Sequence, residues 1–387
     1  MSVDSRHMTR TSIVSPEDQK VTFVELFFDL VFVFSVTQIV RLLHNDLTWL
    51  TVGQAVLVFW LVLLGWGQFT WALNAANTKH NLVQLGVLLA AGITLFMGIS
   101  LPQAFQDRAL WFAITYISLR VVGLTLFSLV ALENPTLRAA LRTWIVLSIA
   151  GLIAVLVGGY LGGAAQYWLW GSAILLDIFS AAVGGQAEEW NIHPDHFSER
   201  HGLFVIIVLG ETLIVAASEG TEAILSFDLI AVGLLAVAIT GALWWSYFVR
   251  AKPVLDHALA SSRGAERSMM ARDVYSMLHF PMLFGVIAYA AIVEAAVANP
   301  VEPLSPAESI ALAVGLVLFV GGMAAAVWRA TRSPMWGRVI LIVATALAIV
   351  AISGVSASVT LGIGLAGILA ILLQEQRSGS PIVDELL

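Results

Sequence analysis

Within the long apolar runs of this sequence ionisable side chains are few, and they gather in two segments. In the first, residues 21–38, Glu25 and Asp29 stand four apart. On a helix that spacing puts both carboxylates on one face, about one turn apart. Like charges repel there and each loses hydration in apolar surroundings, so one of the pair is a candidate proton carrier. The structural alternative is that Glu25 lies in a first helical turn, where an acid offsets the helix dipole. In the second segment, residues 193–212, His193, His196, Glu199, Arg200 and His201 lead into an apolar stretch that reaches Glu211. Glu211 lies about 18 Å beyond Glu199 along a helix. At that depth in a bilayer a charge is costly unless it is neutralised, paired or hydrated, which makes Glu211 the deepest proton-binding candidate. A protonated acid bonded to a neighbouring helix is its structural alternative.

His193, His196, Glu199 and His201 also form a candidate metal set, since imidazole and carboxylate both ligate zinc or iron. Helical geometry tempers this, because His201 points about 140° away from His196, and Pro194 suggests a loop over the first of these residues. Arg200 is the natural partner of a carboxylate or a phosphate-bearing ligand. An ionic gate, a substrate contact and an interfacial helix cap therefore stand beside metal binding as readings of this cluster. Arg120 and Asp177 are opposite charges inside other apolar stretches, and a pair between them would offset part of each desolvation cost, as a lock or as a gate. His279 lies two residues before Pro281 and reads either as bonding a carbonyl freed by that proline or as a group that titrates near neutral pH. Glu294, later in the same stretch, reads as snorkelling to the interface. No cysteine is present, so disulfides, thiolate metal sites and cysteine nucleophiles are removed together. No P-loop, GxGxxG, GxSxG or HExxH motif occurs, which takes support from ATP-driven transport by this chain alone and from several enzyme classes. No organic cofactor is expected.

Membrane helices must position these residues. The 387 residues are 59% hydrophobic and 12% charged, against about a quarter charged in a soluble domain. The surplus apolar surface has to face lipid. Apolar runs of roughly 18 to 25 residues match the length of a helix crossing the bilayer core. They do not alternate in the way a β-barrel strand would. The prediction is an all-α polytopic transmembrane bundle of about twelve spans, near 23–43, 52–73, 82–101, 110–132, 143–161, 166–184, 200–218, 228–249, 274–298, 306–328, 336–353 and 356–373. The last two are separated only around Ser353 and Gly354, so one broken element or a re-entrant pair is the alternative to two spans.

Loop charges orient the bundle. With the N-terminus inside, the inner segments hold most of the basic residues, among them Arg6, Arg10, Lys20, Lys79, Arg138, Arg142, Arg250, Lys252, Arg263, Arg329 and Arg338, while Arg41 and Arg108 fall outside. The positive-inside rule then places both termini in the cytoplasm of a bacterial inner membrane. This divides the chain into a cytoplasmic segment 1–22, a six-helix half 23–184, a cytoplasmic linker 185–199, a second half 200–373 and a cytoplasmic tail 374–387. Phe23-Val24-Glu25 opens the first span as Phe197-Ser198-Glu199 opens the seventh, which raises the expectation of a six-plus-six parallel repeat. A formal net charge of −7 argues against a nucleic-acid partner. The bilayer and an unidentified small-molecule or lipid substrate are the expected partners, with the oligomeric state open.

The segments ELFFDLVFVFSVTQ, beginning at Glu25, and HFSERHGLFVIIVLGE, beginning at His196, resemble the signatures of the bacterial low-temperature-requirement A (LtrA) family. The resemblance extends over nearly the whole chain in span count and layout. It implies a multi-span bacterial membrane protein, in a family whose name records a growth phenotype, and carries no particular reaction with it. The residues themselves favour a transporter or permease whose first and seventh spans line a cavity, with Glu25, Asp29 and Glu199 at its mouth, Arg200 and His201 tuning it, and Glu211 as the deep proton site. An intramembrane enzyme acting on a lipid or isoprenoid through a His/Glu/Asp site, with or without a metal, is the second reading. A non-transporting membrane organiser linked to growth in the cold is the third.

Overall fold

Each of the twelve expected apolar segments is helical in the computed structural model, which describes residues 12–16, 19–133, 135–184, 190, 192–222, 225–352 and 354–378. Arg6 and Arg10, residues 185–189 and 191 of the expected linker, Ser353 and the tail beyond residue 378 lie outside the described residues. The helices are α1 (Phe23–Asn45), α2 (Trp49–Ala75), α3 (Asn81–Ser100), α4 (Ala109–Ala131), α5 (Pro135–Leu161), α6 (Gly163–Gly184) and α7 (Pro194–Glu222). They continue with α8 (Phe227–Trp245), α9 (Lys252–Ser261), α10 (Gly264–Met270), α11 (His279–Ala298), α12 (Pro306–Thr331), α13 (Trp336–Ala351) and α14 (Ala357–Ser378). Among the described residues ten helical stretches are long and apolar enough to cross a membrane. The chain is a multi-pass helical membrane protein. Helices dominate because backbone groups in lipid must bond within their own segment.

Several boundaries differ from the sequence expectation for local reasons. The seventh span begins at Pro194, so residues assigned to the linker are helical. Proline suits a first turn, whose N–H needs no helical partner, and the Phe197 amide already donates to the His193 carbonyl. The eighth and ninth spans are each interrupted by a π-helical turn, Ser246–Ala251 between α8 and α9 and Ala271–Met277 between α10 and α11. The final apolar region is two helices, α13 and α14, and Gly354 between them has φ 97°, a conformation that favours glycine. With 16 residues, α13 is about 24 Å long and short of a full span.

The chain forms two compact units that interleave in sequence: Met1–Ile39 with Gln54–Leu203 and Ser262–Arg272, and Val40–Gly53 with Phe204–Ser261 and Asp273–Leu387. In the first unit α5 and α6 make the most extensive helix pair. Their turn passes through Gly162 and Gly163, with φ of 64° and 53°. Gly158 lets the Trp170 ring lie against α5, where its Nε1–H donates to the Val155 carbonyl at 3.0 Å. In the second unit α11 is the most enclosed helix, with Gly285 and Gly315 facing each other where it crosses α12. A Cβ on Gly285 would stand 2.5 Å from the Gly315 carbonyl oxygen.

The closing helices of the second unit are joined by a buried fork. Arg338 of α13 donates from Nε to Glu375 Oε1 at 2.7 Å and from Nη2 to Glu375 Oε2 at 2.9 Å. Glu375 belongs to the helix rather than to a tail, because α14 continues to Ser378. Removing one partner of a buried pair strands the other charge, at about 3–5 kcal/mol. Thermal unfolding in detergent should show R338M and E375Q each strongly destabilised, with the double variant R338M/E375L recovering most of the loss.

Candidate functional site

The first unit buries three charges at the start of α1 and α7. Glu25 has two roles, set by its position in the first turn of α1. Its Oε2 accepts hydrogen bonds from the Thr22 amide at 2.9 Å and the Thr22 hydroxyl at 2.8 Å, closing the end of the helix. Its Oε1 faces Arg200. One turn further on, Asp29 projects from the same face, and the side chains of Glu25, Asp29 and Arg200 are all 0% exposed.

Arg200, in the second turn of α7, spans the two acids. Its Nη1 donates to Glu25 Oε1 at 2.8 Å and its Nη2 to Asp29 Oδ1 at 2.6 Å. The guanidinium lies 5.8 Å from the centre of the Trp66 ring, within cation–π range. Trp66 also donates its indole N–H to Asp29 Oδ1 at 2.7 Å. Asp29 Oδ2 and Arg200 Nε are buried without a hydrogen-bond partner.

His196 lies one turn before Arg200 on α7, with Nε2 3.0 Å from Glu25 Oε1 but outside hydrogen-bonding geometry. Asn74 of α2 fixes which imidazole nitrogen carries the proton. The His193 amide donates to Asn74 Oδ1 at 2.8 Å, so Nδ2 is the amine; it donates to the His193 carbonyl and meets His196 Nδ1, each at 3.1 Å. His196 Nδ1 is thus the acceptor, and the proton sits on Nε2 toward Glu25. With His196 neutral, two carboxylates face one guanidinium, and the cluster is one positive charge short of balance.

The other expected residues are dispersed. Glu199 is exposed. His201 is buried and lies edge-on to Trp66 at 5.0 Å, with Nδ1 2.9 Å from the Phe197 carbonyl, so that nitrogen donates. His193 contributes its backbone to Asn74. His193, His196, Glu199 and His201 therefore do not converge, and among the described residues no three His, Asp or Glu side chains are arranged to hold a metal ion. Arg120 Nη2 lies 3.6 Å from Asp177 Oδ1 and 3.4 Å from the Ser148 hydroxyl, while Nη1 donates to the Tyr116 hydroxyl at 2.6 Å. Glu211 is buried in the second unit. Sequence reasoning passed over Trp66, Asn74 and the Arg338–Glu375 pair. Asn74 carried a usable signal, a strongly polar residue in an apolar run, and Trp66 another, an indole away from a span end.

The two acids and Arg200 should behave as one network. Arg200→Gln leaves two carboxylates stranded and is expected to cost about 3–5 kcal/mol. Asp29→Asn removes the excess charge and should cost less. Arg200→Lys should recover only part of the loss, because one ammonium does not reproduce a fork that reaches two carboxylates through separate nitrogens. Thermal unfolding of the purified variants checks the order, and an R200Q protein as stable as D29N would contradict it.

Among known proteins, the family described as Bacterial low temperature requirement A protein (LtrA) matches residues 20–373. An uncharacterized protein of Rhizobium meliloti (strain 1021) is 27% identical over 336 residues, covering 79% of this chain and 76% of its own length. No solved structure matches. The family match takes in every helix that carries the ion cluster, and the chain belongs to the bacterial low-temperature-requirement A family.

Proposed function

We propose that this LtrA protein is a proton-coupled permease in which the Glu25–Asp29–Arg200 cluster is the charge-sensitive element. The observation that carries the reading is the imbalance of the buried charges. A structural lock is best served by a neutral pair, as Arg338 and Glu375 make. A second acid adds desolvation cost without a partner of its own. Asp29 keeps one carboxylate oxygen free of hydrogen bonds, and a proton or a cationic group of a solute arriving there completes the balance. Ionisable residues at such depth usually line ion or substrate paths. Loss and gain of that one charge changes how tightly Arg200 holds α1, which gives a proton a means of favouring one arrangement of the helices over another.

The same reading places the protein in a bacterial inner membrane with both termini in the cytoplasm, following the distribution of loop arginines and lysines. The solute is a small molecule. Glu211 of α7 is a further carboxylate available to the proton.

Proteoliposomes holding a pH-sensitive dye test the proposal. Under an imposed proton gradient, a panel of amino acids, sugars, nucleosides and organic cations is added outside. At least one solute should trigger proton movement in the native protein, and D29N should abolish it. Native vesicles that show no solute-dependent proton movement across the panel would count against coupling, and unchanged movement in D29N would remove Asp29 from the mechanism.

A further inference from the structure

The second unit contains another set of ionisable residues, separate from the Arg200 cluster. Glu294 of α11 is 3% exposed, and its Oε2 is buried without a hydrogen-bond partner. Four charged groups act on it electrostatically: His44 and Arg41 at the end of α1, and Glu219 and Glu211 of α7. The packing places one of them. A Cβ on Gly220, next to Glu219, would stand 3.6 Å from Val297 Cγ1, and Val297 lies one turn beyond Glu294 on α11. His44 is half-buried, and its Nδ1 is also enclosed without a hydrogen-bond partner. Glu211 is buried, Glu219 is partly exposed and Arg41 is exposed.

Two other helices pack on α11. From α8, Thr240 and the Ala236 carbonyl meet the Tyr289 hydroxyl. Asp228 at the start of that helix is exposed. From α12, Gly315 faces Gly285, and Glu308 is engaged in closing its own helix, accepting from the Ser305 amide at 2.6 Å. Three carboxylates are therefore set against one permanent cation, Arg41, and one imidazole. Even with His44 charged, the set lacks one positive charge.

We propose that Glu294 is a proton-binding site of this unit, taking a proton on its enclosed and unpartnered Oε2 to become the neutral acid. The snorkelling expected for Glu294 is replaced by an enclosed carboxyl with a specific ligand. The inference deepens the proton-coupled reading and rests on it only for the use made of the proton. Binding itself does not depend on any solute.

Infrared difference spectra of the full-length protein in lipid nanodiscs, recorded across a pH titration in H2O and D2O, provide the test. A carboxylic C=O band that shifts in D2O, titrates, disappears in Glu294→Gln and persists at a changed frequency in Glu294→Asp is the expected result. A band fully retained in E294Q overturns the proposal, as does one lost equally in E294Q and E294D. Asp29→Asn separates this site from the other cluster: the Glu294 band should survive it. A band that vanishes in D29N instead belongs to Asp29, and Glu294 is then not a proton carrier.

Discussion

Arg200 holds two carboxylates of one helix from the second turn of another, entirely out of water, and the first unit is organised around that constraint. A guanidinium in such a place must have its donors directed at acceptors, or the desolvation cost is not recovered. The demand reaches outward. Glu25 must lie within the first turn of α1 so that one oxygen closes the helix while the other takes Nη1. Asp29 must follow by four residues to take Nη2 from the same face. Trp66 fills the remaining side with an indole N–H for Asp29 and a ring face for the cation. Asn74 holds His196 so that its protonated nitrogen, and not its lone pair, is turned toward Glu25.

Three arginine sites in this chain show different degrees of compensation. Arg338 meets Glu375 through two parallel bonds, a neutral and geometrically closed unit suited to fastening α13 onto α14. Arg120 lies farther from Asp177, at 3.6 Å, and is shared among a tyrosine, a serine and the Trp144 ring. Arg200 has more acid around it than it can neutralise. Burial is similar at all three, so burial alone does not distinguish a fastening from a switch; the local balance of charge does.

The helices were legible in the sequence because bilayer thickness sets a length that apolar runs must meet, and that signal survives without any knowledge of packing. The gathering of charge on the first and seventh spans was legible for a related reason, since charged residues in such runs stand out. Their pairing was not. Glu25 and Asp29 were expected to form an acidic mouth, whereas both are enclosed against Arg200, because sequence spacing gives the face a residue occupies and not what lies opposite. Pro194 misled the reading of residues 193–199, since a proline that would break a helix interior is also at home in a first turn. The π-helical turns near Tyr247 and Tyr275 leave no mark in apolar periodicity. Asn74 stands out as a polar residue in an apolar run, but its task is not readable until the His193 backbone and His196 are seen on either side of it.

The two ionisable sets share a feature that packing economy does not explain. Each draws its charges from α1 and α7: Glu25, Asp29, His196 and Arg200 in one unit, and Arg41, His44, Glu211 and Glu219 in the other. Both helices are continuous through the point where the chain passes from one unit to the next. A helix recruited only to fill a bundle gains nothing from buried charges such as Asp29, Arg200 and Glu211, because apolar side chains of similar volume do the same at lower cost. Both sets therefore place their desolvation cost largely on the same two helices.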